Sequence, residues 1–251
     1  MHNQNHMAQL TTADRTLPNP KKVAIIQSNY IPWKGYFDMI AAVDEFILYD
    51  DVQFTKNDWR NRNKIKTPKG LEWISVPVGQ SIDRKVREVE LSDNRWQDKH
   101  WKTLESNYRR APFFSQVAEL VEPLYKERRY ATLSELNRVF IESICLYLGI
   151  RTKISNSWDY DSVGGRVERL IDLCMQTNAQ IYITGPAARS YLDESAFTDR
   201  GIAVSWFDYS GYPEYPQLWG AFEHGVSILD LLFNCGKDAR NYMRYCNCNY
   251  Y

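Results

Sequence analysis

The stretch Val23-Ala24-Ile25-Ile26-Gln27-Ser28-Asn29-Tyr30-Ile31-Pro32-Trp33-Lys34-Gly35-Tyr36-Phe37, continued to Asp50-Asp51, decides how the chain is read. Val23–Ile26 is a short apolar run rich in β-branched side chains, the signature of a buried strand. It exits into polar Gln27-Ser28-Asn29, and Pro32 and Gly35 then supply loop chemistry. Tyr36–Val43 places Phe37, Ile40 and Ala41 at helical spacing. Glu45–Tyr49 reads as a second strand ending at Asp50-Asp51. Strand, helix, strand is the unit of a parallel α/β sheet.

The same alternation returns later: a strand at Lys153–Ser157, an amphipathic helix at Arg166–Met175 and a strand at Ile181–Thr184. A helical Ser190–Phe197 and a strand at Val204–Phe207 follow. Between the two series lie a hairpin and three helices. Arg62–Lys66 and Leu71–Val78 flank the turn Thr67-Pro68-Lys69-Gly70, and Val86–Leu91 alternates. Helices are expected over Trp96–Tyr108, Gln116–Lys126 and Leu133–Leu148, the last opened by a capping box of Thr132 and Glu135 and closed by Gly149. Ser227 and Asp230 look like an N-cap pair for a helix over Ile228–Phe233 ending at Gly236. The expected architecture is α/β, a Rossmann-like, mostly parallel sheet with a helical insertion at about 96–148. Residues 1–20 read as a disordered polar tail, 21–243 as one domain and 244–251 as a C-terminal tail.

Composition narrows the function classes. The 251 residues carry 31 basic and 31 acidic side chains, so the net charge is zero. That balance argues against nucleic acid as a partner. With 44% hydrophobic residues, 8 Trp, 17 Tyr and 10 Phe, the chain can bury a core. No apolar run approaches a membrane span of ~18 residues, so membrane insertion is not expected. The N-terminus has no secretory pattern, and five irregularly spaced cysteines make no disulfide framework. The reading is a cytoplasmic protein with a small-molecule substrate.

Ligands of such sheets bind beyond the carboxyl ends of the strands, which selects Gln27–Gly35, Asp50–Lys66 and Gly185–Tyr191. In the first, the Gln27 and Asn29 amides offer donors and acceptors, while Tyr30 and Trp33 offer ring faces. In the second, one of two adjacent carboxylates can face a site, with Asp51 preferred over Asp50 as a general base. Gln53 follows. Lys56, Trp59, Arg60, Asn61, Arg62, Asn63 and Lys64 form the densest basic stretch, suited to phosphate; Trp59 there also permits stacking. In the third, Gly185 opens a small-residue turn before a helix, with Arg189 and Tyr191 beside it. Tyr209–Phe222 is an aromatic, Pro- and Gly-rich wall or loop that holds Gln217. His224 is a second acid/base candidate. No spacing suits a metal site, a phosphate loop or a nucleophile elbow.

These segments resemble the WbqC-like protein family, over about Val23 to Met243. The resemblance is carried by Gln27–Phe37, by Asp50-Asp51-Val52-Gln53-Phe54 with Trp59–Asn63, and by Gly185–Leu192. Tyr212-Pro213-Glu214-Tyr215-Pro216-Gln217-Leu218 and Val226–Asn234 complete it. One departure is visible: the family's first motif usually reads Gln-Pro, and Ser28 stands at the proline, so the ring that would stiffen this loop is missing. The resemblance implies surface-polysaccharide (O-antigen type) biosynthesis, with acyl or aminoacyl transfer to the amine of a nucleotide-linked amino sugar. An activated acyl donor, or ATP with magnesium, would be the co-substrate. Two alternatives stand beside it: an ATP-dependent or nucleotidylyltransferase-like ligase, although that class's His-x-Gly-His pair is missing, and a non-catalytic sugar-nucleotide-binding protein.

Overall fold

A computed structural model describes residues 19–246 except Ser92 and Asn94. Of the tails expected at 1–20 and 244–251, residues 1–18 and 247–251 lie outside the described residues. Five parallel strands form the central sheet: β1 (Lys22–Ile26), β2 (Glu45–Leu48), β5 (Lys153–Asn156), β6 (Ile181–Thr184) and β7 (Ala203–Trp206), in the order β5-β2-β1-β6-β7. This is the doubly wound Rossmann-like arrangement. The order reverses between β1 and β6, so the strand ends open a crevice there.

Alternation sorts the side chains between two layers. Ala24, Phe46, Leu48 and Ile183 face one core; Val23, Ile25, Ile47 and Tyr182 face the other. The first core is covered by α1 (Lys34–Ala41), α2 (Arg95–Tyr108), α3 (Phe114–Lys126), α4 (Leu133–Leu148) and α7 (Ile228–Cys235). The second is covered by α5 (Arg166–Gln176) and α6 (Glu194–Thr198). The helical insertion is thus α2–α4, which links β2 to β5 and shares the larger core. The hairpin β3 (Arg62–Thr67) and β4 (Gly70–Ser75) stands apart as a two-stranded antiparallel ribbon.

Several local expectations shift. Val86–Leu91 forms no strand; Val86–Glu88 is a short 3-10 turn, and Glu90 makes one isolated bridge to Thr132. Pro186–Ser190 is also a 3-10 turn, and α6 begins only after Asp193, whose side chain accepts from the Ser195 amide. Ser227 does cap α7, accepting from the Leu229 amide at 3.2 Å, but Asp230 takes no part in the cap. It is buried, accepting from Tyr108 Oη at 2.8 Å, Tyr215 Oη at 2.8 Å and Gln217 Nε2 at 2.7 Å. The chain does not leave the domain at 244: Tyr245 N donates to Asp38 at 2.7 Å, and Cys246 is buried.

Candidate functional site

The loop after β1 is fixed before any ligand arrives. The Ser28 amide donates to Asp50 Oδ1 at 2.8 Å, and Asn137 Nδ2 donates to Ser28 Oγ at 3.0 Å and to the Arg60 carbonyl at 2.9 Å. Ser134 Oγ donates to Asp50 Oδ2 at 2.5 Å. A proline at 28 would have no N–H to give; serine replaces ring stiffness with two hydrogen bonds. Asn63 Nδ2 donates to the carbonyls of Tyr30 and Ile31 at 3.1 and 2.9 Å and so holds Ile31 at φ 37°, a costly angle for a β-branched residue. Gly35 is required by close approach: the Trp33 indole folds back so tightly that a Cβ at 35 would lie 2.3 Å from it.

A cavity of about 1490 Å³ opens at the β1/β6 switch point. Its walls come from all three segments selected above and from three others. Gln27, Asn29 and Trp33 follow β1; Asp51, Gln53, Trp59 and Arg60 follow β2; Gly185 and Tyr191 follow β6. Tyr209 reaches in from the aromatic loop and packs on Trp33, ring centroids 5.3 Å apart.

The two acids separate cleanly. Asp50 is fully buried beneath the loop and burial raises its pKa, against hydrogen bonds from Ser134 and Ser28 that pull it down. Asp51 lines the cavity. Its Oδ1 accepts from Ser157 Oγ at 2.5 Å, and its Oδ2 pairs with the Arg169 guanidinium.

Other residues move out of the candidate site. Tyr30 is buried away from it, its hydroxyl 2.8 Å from His100 Nδ1 and 2.5 Å from Tyr125 Oη. Asn61 and Asn63 are buried and serve the backbone; Asn61 Nδ2 donates to the Val76 carbonyl at 3.1 Å. Pleating explains the dispersal of the basic run: Asn63 and Ile65 face inward, so Arg62 and Lys64 face out, over the Trp73 ring at 4.1 and 5.1 Å. Lys56 bonds Gln80 and does not line the cavity. Arg189 stacks on Trp206 at 4.7 Å, also outside. Gln217 is spent on Asp230 and on the Glu223 carbonyl. His224 is exposed on the edge of Phe222 and lines no part of the cavity; burial and Lys34 lower its pKa.

The cations of the cavity come largely from segments not singled out in the sequence. Arg166 and Arg169 lie on the first turns of α5, after Gly164-Gly165, and Arg84 and Lys85 also line the cavity. Residues three apart on a helix share a face, and each arginine is seated on a cavity tyrosine: Arg166 over Tyr191 at 3.5 Å, Arg169 over Tyr49 at 5.4 Å. Gly-Gly-Arg before an amphipathic helix was the available signal. Five cations line the cavity against three acids, Asp51, Asp83 and Glu88. Arg60 pairs with Asp58 at 2.8 Å and Arg169 with Asp51; Arg84, Lys85 and Arg166 have no ion-pair partner among the described residues. Asn29 Oδ1 and Arg60 Nε, one acceptor and one donor, are buried without hydrogen-bond partners. The helix dipole of α5 adds to the field, since its N-terminus opens on the same space. The anion-suited helix end is therefore that of α5, not the 3-10 turn after Gly185. Among the described residues no group of three or more His, Cys, Asp or Glu is gathered for a metal ion, and no helix is long and apolar enough to cross a membrane.

Comparison with known proteins agrees with the motifs. An uncharacterized protein of Mycobacterium tuberculosis (strain ATCC 25618 / H37Rv), Rv1507c, is 55% identical over 228 residues, covering 90% of this chain and 99% of its own. No solved structure gives a significant match. The sequence model of the WbqC-like protein family matches residues 27–242, and the chain belongs to that family.

Proposed function

We propose that the switch-point cavity binds a nucleotide-linked amino sugar, and that the protein is a transferase or amide-forming ligase of polysaccharide biosynthesis that acylates the sugar amine. The observation that carries the binding half is the cationic cavity itself: three cations without an ion-pair partner among the described residues and the N-terminus of α5, at the place where doubly wound sheets bind nucleotides. The volume exceeds that of an ordinary drug-sized pocket, about 300–1,000 Å³, and suits a ligand with two parts. Family membership supports the polysaccharide pathway.

In this reading Arg60, Arg84, Lys85 and Arg166 hold the phosphates, and Gln27, Asn29 and Trp33 shape the sugar and acyl end. The acceptor ammonium gives up its proton to solvent. The amine nitrogen then attacks the acyl carbonyl carbon, the leaving group departs with its electron pair, and the nitrogen's second proton passes to solvent. Asp51 has both oxygens engaged and serves as the carboxylate that orients Arg169, rather than as the base. Arg169 is then a fixed donor for a phosphate or for the developing oxyanion.

A thermal-shift panel of nucleotide-linked amino sugars, ATP and acyl thioesters tests the reading. A nucleotide-linked amino sugar should raise the melting temperature, and Arg166→Ala should abolish the rise. Stabilisation by ATP alone, with AMP or pyrophosphate released in the presence of amino acids, would favour the ATP-dependent ligase instead. Ligand binding with no turnover for any donor would leave a binding protein.

A further inference from the structure

We infer that the outer face of the β3–β4 hairpin is the nucleobase subsite of the ligand held in the cavity; this rests on the nucleotide-sugar reading above. Trp59 belongs to both places. It lines the cavity, and its ring lies 5.2 Å from that of Trp73 on β4, with an interplanar angle of 41°. Both indoles are exposed, Trp59 at 40% and Trp73 at 42%, and they touch each other. Such an exposed aromatic pair at a cavity mouth is unusual for a surface that needs no partner.

The register defines what the face offers. Arg62 pairs with Ser75, Lys64 with Trp73 and Lys66 with Leu71, so these six side chains share one side of the ribbon. Lys66 is buried and reaches the Ala221 carbonyl, which leaves Arg62, Ser75, Lys64, Trp73 and Leu71 outside. Every ionisable group on this side is a cation, hence a donor only. The two outer cations are already parked on the indole, Arg62 at 4.1 Å and Lys64 at 5.1 Å from its centroid.

A stacking surface whose charged groups are all donors, with the Ser75 hydroxyl as its one side-chain acceptor, matches a nucleobase, which has a flat face and carbonyl or ring-nitrogen acceptors at its edge. A neutral sugar ring would need carboxylate or amide acceptors for its hydroxyls, and this side supplies none. The geometry therefore orients the ligand: base against Trp59 and Trp73, with Arg62 and Lys64 swinging off the Trp73 ring to the edge of the base, diphosphate among the cavity cations, sugar toward Gln27 and Gly185.

The test is calorimetric titration of the full-length protein with UDP, GDP, ADP, CDP and inorganic pyrophosphate. At least one nucleoside diphosphate should bind more tightly than pyrophosphate. Trp73→Ala should weaken that nucleotide by roughly tenfold, with pyrophosphate unchanged, and Trp73→Phe should recover most of the loss. Arg62→Ala should narrow the preference among bases. Equal nucleotide affinity in Trp73→Ala and wild type overturns the subsite but leaves the cavity reading standing. Equal loss of pyrophosphate in Trp73→Ala also overturns it, because the effect would then reach the phosphates. If none of the five binds the wild type, the nucleotide reading falls and the subsite with it.

Discussion

Replacing Asp50 by alanine should cost far more than any change at its neighbour Asp51, although both end the same strand. Asp50 is fully buried and accepts from the Ser28 amide at 2.8 Å and the Ser134 hydroxyl at 2.5 Å. Alanine strands both donors in the interior at about 1–3 kcal/mol each. Burial of the carboxylate itself has a cost, shown by its raised pKa, and removal returns part of it. The net expectation is a loss of about 3 kcal/mol, which for a domain of this size lowers Tm by about 6–12 °C. Asp50→Asn keeps an acceptor and should lose roughly half as much. Asp51→Asn weakens a largely covered ion pair, the Asp51 and Arg169 side chains being 12% and 21% exposed, but keeps an acceptor for Ser157 and should cost only about 1 kcal/mol. Urea unfolding followed by circular dichroism, with differential scanning calorimetry alongside, measures all three. The sign of the pH effect is a further check. A carboxyl whose folded pKa is raised contributes stability below the ordinary carboxylate range, lost as pH rises through the folded value. Asp50→Asn should remove that decline. If Asp50→Ala lies within about 0.5 kcal/mol of wild type, the loop is not held by this network and the reasoning fails.

Other perturbations address separate parts of the account. Burial pushes the His100 imidazole down to about 4, so the protein should lose up to about 3 kcal/mol as pH falls from about 6.5 to about 4; His100→Gln should flatten that limb in pH-resolved urea titrations. Burial alone would raise Glu45, but hydrogen bonds from Tyr160, Lys21, Lys153 and Ser155 outweigh it and hold the carboxyl at about 2. Its contribution is present above the ordinary glutamate pKa and lost as pH falls toward about 2, and Glu45→Gln should show a shallower acid transition. Gly236 stands at φ 56°, and a Cβ there would lie 2.5 Å from the Phe113 ring; Gly236→Ala should cost roughly 3 kcal/mol by chemical denaturation.

The sheet was legible in the sequence because its strands are short apolar runs bounded by turn chemistry, and Val23–Ile26 leads directly to its polar exit. The insertion helices were legible for the same reason: Thr132, Glu135 and Gly149 mark the ends of α4 as capping rules require. What the pattern could not show is which polar side chains would be consumed by the fold. Asn61, Asn63 and Tyr30 stand in promising loops, yet each is spent on a buried backbone carbonyl or a buried hydroxyl. Asp230 sits where a cap residue should and is claimed by two tyrosines from distant segments. The basic run looked like one anion site because sequence hides where the strand starts; β3 carries Arg62 and Lys64 away from the cavity, whereas Arg60, in the turn before β3, lines it. Conversely Arg166 and Arg169 were overlooked because they sit on a helix whose apolar face explained it fully. Only the crossover from β5 to β6 brings its N-terminus to the switch point.

The central claim is that the switch-point cavity holds a phosphate-bearing sugar nucleotide. The most direct measurement is a crystal structure of the protein with a nucleotide-linked amino sugar bound. The account predicts diphosphate density between Arg166, Arg84 and Lys85, with the sugar near Gln27 and Gly185. A ligand bound elsewhere on the surface, or a cavity left empty at saturating ligand, would contradict it.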